Sequence, residues 1–125
     1  MDENELSHKV IELCIKIHKI LGPGLFESVY EEALCYELKK NNIPFERQKG
    51  IPVIYEEIKL EIGFRADVIV DNKLIVELKS VEKINKIDYK QLLTHLRLTG
   101  KKLGLLINFN EILLKDGIHR IANKL

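Results

Sequence analysis

The chain has 125 residues, 46% of them apolar and 31% charged, with a formal net charge of +1. A chain of this length fits one domain, residues 1–125, and buries roughly two-thirds of its unfolded surface without staples. The balance of charge excludes a global field that holds nucleic acid by itself, and no stretch approaches the roughly 18 apolar residues of a membrane span.

In chain order, Leu6, Val10, Leu13, Ile17 and Leu21 recur with the 3.6-residue period and predict a helix over residues 5–21. Gly22-Pro23-Gly24 ends it. A second helix is expected from Glu27 to Lys40, with Tyr30, Leu34 and Leu38 on one face and Asn41-Asn42 and Pro44 after it. Short strands are expected at Phe45–Gln48 and Pro52–Glu57, and stronger ones at Gly63–Val70 and Leu74–Lys79. A third helix from Asp88 to Thr99 is closed by Gly100, and Leu103–Phe109 reads as a buried strand because it is almost continuously apolar. A strand or edge piece takes the last dozen residues. Strand, helix and buried strand in succession make a parallel βαβ crossover the default, so the class is α/β with a small mixed sheet flanked by helices. The acidic start Met1-Asp2-Glu3 is unlike a signal peptide, and Cys14 and Cys35 lack paired spacing. Both are expected to be buried free thiols of a cytoplasmic protein.

Residues 63–79 carry the most information. If the turn after Val70 had two residues, Ala66 would pair with Glu77 and both faces of the hairpin would be mixed. A three-residue turn, 71–73, pairs Val70 with Leu74 and Val68 with Val76. One face is then wholly apolar, with Phe64, Ala66, Val68, Val70, Leu74, Val76 and Leu78, and the other sets Asp67 opposite Glu77 and Arg65 opposite Lys79. The clean face selects the second register. Two facing carboxylates repel by about 0.2–1 kcal/mol, more if desolvated. A cation between them removes that cost, since Mg²⁺ takes carboxylates and backbone carbonyls. Diagonal salt bridges, Asp67 with Lys79 and Glu77 with Arg65, account for the charge pattern equally well.

Asp67, nine residues, then Glu77-Leu78-Lys79 resembles the PD-(D/E)XK nuclease signature. Gly24-Leu25-Phe26-Glu27-Ser28-Val29-Tyr30 resembles the motif of the GxxExxY family within that superfamily. Gln91-Leu92-Leu93-Thr94-His95 resembles the superfamily's downstream QxxxY helix motif, with His95 where Tyr is usual. The resemblance implies a restriction-endonuclease-like αβββαβ core and hydrolysis of phosphodiester bonds in DNA or RNA. It implies Asp67, Glu77 and the Leu78 carbonyl as ligands of Mg²⁺ or Mn²⁺, with Lys79 orienting the attacking water or stabilising charge on the phosphate. Glu27 and Gln91 join the catalytic set as auxiliary groups. Arg65, Lys90, Arg97 and Lys101 are the candidate phosphate contacts. A homodimer follows by the same analogy.

Each residue also has a plainer reading. Glu27 would complement a helix dipole, worth about 0.3–1 kcal/mol. Tyr30 would be packed, His95 would be a half-buried hydrogen-bonded histidine, and Lys90, Arg97 and Lys101 would form a solvated face. An inactive nuclease-fold module that binds nucleic acid or a protein is the competing function, and an interaction protein with a salt-bridge lattice is the third.

Overall fold

The structure, a computed structural model, describes all of residues 1–125. α1 spans Glu3–Leu21, two residues longer at its start than expected. Asp2 and Glu5 form a reciprocal capping box that satisfies the first free N–H groups. Gly22, at φ 74°, breaks the helix. α2 spans Glu27–Lys40 and buries Tyr30, Leu34 and Leu38. Both helices pack on one face of a five-stranded sheet, against Val68, Val70, Leu74, Val76 and Leu78. α3 (Lys86–Thr99) covers the other face with a smaller core of Leu92, Leu96, Ile69, Ile75, Leu106 and Ala66. It begins earlier than expected because Asn85 and Asp88 form a second capping box.

The sheet order is β1-β2-β3-β4-β5: Phe45–Tyr55, Ile58–Val70, Leu74–Lys79, Leu103–Asn108 and Ile118–Ala122. β3 and β4 are parallel, joined through α3, and every other pairing is antiparallel. All six residues of β4 are buried, as a strand covered on both faces must be. The three-residue turn is present, with Val70 opposite Leu74 and Val68 opposite Val76. Asp71 and Asn72 adopt φ of 50° and 55°, the left-handed region that short polar side chains tolerate best.

Two expectations are corrected. The segments 45–48 and 52–57 do not form two strands: residues 45–55 are one continuous strand, Glu56-Glu57 are a turn, and β2 starts at Ile58 rather than Gly63. Together they form a long hairpin arm around Glu56-Glu57, mostly exposed beyond Ile51. The second correction concerns Phe64 and Ala66, which do not join Val68 and Val70 but turn to the α3 face. The cause is local. Arg47 pairs with Val68 and Lys49 with Ala66, while Gln48, at φ 51°, and Asp67 drop out of the ladder between them. Both strands change face at that point, so Phe45 packs with the α1–α2 core and Ile51 with the α3 core. β2 and β3 also part company there, their pairing ending at Val68 and Val76.

Candidate active site

The parting of β2 and β3 builds the site. In place of the next ladder bond, the Leu78 N–H donates to Asp67 Oδ2 at 2.9 Å, so the carboxylate stands between the strands. Glu77 points to the α3 side from the middle of β3, and Lys79, two residues on, shares its face. These three line a cleft of about 180 Å³ with Glu27, Arg65, Asp88, Gln91, Leu92, His95 and Leu106. The three motifs of the sequence therefore converge on one cavity, although they lie on α2, the β2–β3 hairpin and α3.

Each wall has a traceable cause. Tyr30 is fully buried, stacks on Phe109 with centroids 4.3 Å apart, donates its hydroxyl proton to Gly22 O and accepts from the Leu25 N–H. It thus clamps the turn that starts α2. Glu27, next to that turn, accepts the Ser80 N–H at 3.0 Å, and Ser80 Oγ donates to Leu25 O. The GxxExxY segment is therefore a bracket that fixes Glu27 to the end of β3. On the far side, buried Asn108 hydrogen-bonds both backbone groups of Val81, and the Phe109 N–H donates to Lys79 O.

The electrostatics are those of an acid pair without enough cation. Burial, then the charge of Glu77, pushes the Asp67 carboxyl up to about 7, against the pull of the Leu78 N–H. Burial likewise pushes Glu77 up to about 7. Lys79 Nζ lies 3.9 Å from Asp88, not on either acid, so the diagonal salt-bridge lattice is absent; Arg65 instead donates to Gln48 O. Burial lowers the pKa of His95. Its ring stacks on Phe64, centroids 3.8 Å apart and planes 7° from parallel, with Nδ1 3.7 Å from Glu77 Oε1. Those two atoms are the only buried side-chain polar atoms in the chain without a hydrogen-bond partner.

Sequence reasoning missed Gln48 and Glu31. Gln48 Nε2 reaches Asp67 Oδ1 at 3.3 Å and Glu31 Oε1 at 2.7 Å, and Arg47 holds the other Glu31 oxygen. The signal for Glu31 was its place one helical turn after Glu27; a left-handed Gln48 leaves no signal in sequence. The α3 cations lie outside the cleft. Lys90 and Arg97 are exposed on the outside of the helix, and Arg97 borders a separate polar hollow with Lys102 and Lys124. Lys101 ties the β2–β3 turn by donating to Asn72 O and Oδ1.

No group of three or more His, Cys, Asp or Glu side chains forms a ready-made metal cage. Two buried carboxylates in one cleft, one with an unpartnered oxygen, are nonetheless donors of the kind hard divalent cations take, alongside backbone carbonyls and water.

An α/β sheet that sets Asp67 of β2 in one cleft with Glu77 and Lys79 of β3, the strand paired parallel to β4, has the architecture of a restriction-endonuclease-like fold. The family model described as the PD-(D/E)XK nuclease superfamily matches residues 4–121, nearly the whole chain, and the chain belongs to that superfamily. No curated protein matches it. No solved structure does either.

Proposed function

We propose that this chain, folded as a single domain over residues 1–125, is a divalent-metal-dependent nuclease that hydrolyses phosphodiester bonds of DNA or RNA, of the GxxExxY type. The observation that carries the reading is the buried acid pair Asp67 and Glu77, both carboxyls raised by burial, with Lys79 on the same face of one polar cleft. A merely structural acid pair would form ion pairs with Lys or Arg; neither Asp67 nor Glu77 does, although the charge of Lys79 reaches Glu77, and buried acids held in this way are where function is sought.

Asp67, Glu77 and the Leu78 carbonyl would hold Mg²⁺ or Mn²⁺, which when bound lowers the pKa of an attacking water and polarises the phosphoryl oxygen. Lys79 presents its ammonium at the rim, where it offsets charge developing on the phosphate. Gln91 offers a neutral donor and acceptor to the same phosphate. Glu27 orients the end of β3 through the Ser80 N–H and faces the cleft as an auxiliary acid. Arg65 lines the cleft, and Lys90, Arg97 and Lys101, along and beyond α3, are proposed to contact phosphates farther along the strand, binding that positions without reading sequence. A cytoplasmic location belongs to this reading, supported by two buried free thiols. So does a homodimer, supported by the β1–β2 arm, whose Ile54, Tyr55, Ile58, Leu60 and Ile62 are exposed.

A cleavage screen over linear and branched DNA and RNA with Mg²⁺ and with Mn²⁺ tests the proposal, with Glu77→Ala as control. Cleavage that needs the ion and disappears in the variant is the expected result. Metal binding without cleavage of any substrate favours the inactive module, and cleavage unchanged in Glu77→Ala refutes the site.

A further inference from the structure

Glu77 Oε1 and His95 Nδ1 face each other at 3.7 Å inside the protein and have no other partner. A buried polar atom without a hydrogen bond costs about 1–3 kcal/mol, and native chains rarely leave one unexplained. Two of them, facing, in the one cleft that also holds the acid pair, are not an accident of packing. The ring is not free to turn away. Phe64 covers its face in parallel, and Phe64 is there only because β2 changes face at Asp67. The kink that pushes Asp67 between the strands therefore also pins the imidazole beside Glu77.

We propose that His95 is the positioning residue of the metal site, donating from Nδ1–H to one carboxylate oxygen of Glu77 and leaving the other for the divalent ion. This rests on the metal-site reading above and adds to it a residue and an atom. The separation of 3.7 Å is longer than a hydrogen bond, which needs about 2.7–3.2 Å. Hydrogen bonds of catalytic groups commonly tighten when the site is loaded. A neutral imidazole keeps one N–H donor, and the contact with Glu77 needs only the tautomer with that proton on Nδ1. Ligating carboxylates are held by such outer partners, and loss of one commonly weakens metal affinity 10–100-fold.

The test is Mn²⁺ binding by calorimetry to the full chain and to His95→Asn, His95→Gln and His95→Phe, each checked for folding by thermal melting. The amide nitrogen of Asn falls near the place of Nδ1, and that of Gln near Nε2. The proposal predicts that His95→Asn keeps Mn²⁺ affinity within about threefold, while His95→Gln and His95→Phe lose about 10–100-fold. Equal affinity in all three, or equal loss in Asn and Gln, overturns it. The wild-type protein gives a second readout that needs no variant: with Mg²⁺ added, the His95 ring should show the Nδ1–H tautomer by ¹H–¹⁵N NMR, and the Nε2–H tautomer refutes the assignment. Wild-type protein that binds neither ion ends the metal-site reading itself, and this proposal with it; binding that ignores His95 ends the proposal alone.

Discussion

Replacing Glu77 by Gln should make the metal-free protein more stable at pH 8 and change little at pH 4. Glu77 carries a carboxyl raised from 4.5 to about 7 by burial, in a side chain only 14% exposed. A raised carboxyl pKa means that the folded state holds a proton the unfolded state has released. Stability therefore falls as pH rises from the ordinary carboxylate range through about 7, and the penalty is complete above that. A shift of roughly 2.5 units at 1.36 kcal/mol each is on the order of 3 kcal/mol. The amide keeps the shape and never ionises, and it also relieves Asp67, whose own rise is partly due to the charge of Glu77. With about 3–5 °C per kcal/mol for a chain of this size, Tm at pH 8 in chelator should rise by roughly 10 °C. Melts from pH 4 to 8 with EDTA measure this directly. A variant less stable than wild type at every pH would refute the claim that the acid pair is held at a cost to the fold.

Lys79→Ala should leave folding and Mn²⁺ binding intact and lower kcat by about 10²–10³, measured on whichever substrate the screen identifies. Mn²⁺ affinity should climb steeply with pH through about 7, because Asp67 and Glu77 must shed their protons to bind it; calorimetry at pH 6 and pH 8 checks the sign. Tyr30→Phe keeps the stack on Phe109 but strands Gly22 O and the Leu25 N–H, and urea unfolding should show a loss of about 1–3 kcal/mol. Ile58→Glu on the exposed arm should convert a dimer to monomer in sedimentation without lowering Tm, and a wild type that sediments as a monomer removes the arm's role.

The hairpin register was legible from the turn length, which pairs Val70 with Leu74 and Val68 with Val76; residues 68–70 and 74–76 are apolar on both faces, and the clean face that selected the turn leaned on Phe64 and Ala66, which lie on the α3 side. Helices α1 and α2 were legible from their stripes, and β4 from its unbroken apolar run. The arm was less so. Ile58, Leu60 and Ile62 alternate with Lys59 and Glu61, a strand pattern, but no buried face anchors it, and periodicity without burial is easily passed over. The face change at Gln48 and Asp67 was invisible, since it depends on one left-handed residue in mid-strand. That same irregularity supplies what the motifs alone do not. It parts β2 from β3 for Asp67, and it brings Phe64 onto His95. Tyr30 shows the reverse case: the motif flags it, yet its hydroxyl serves the turn that presents Glu27 rather than the cleft.

The central claim is that Asp67 and Glu77 jointly hold one divalent ion. Titration of Mn²⁺ into wild type, Asp67→Ala and Glu77→Ala at pH 8 tests it most directly. A single site in wild type that vanishes in both variants, while each stays folded, is the result the account predicts. Binding of equal strength in all three would contradict it.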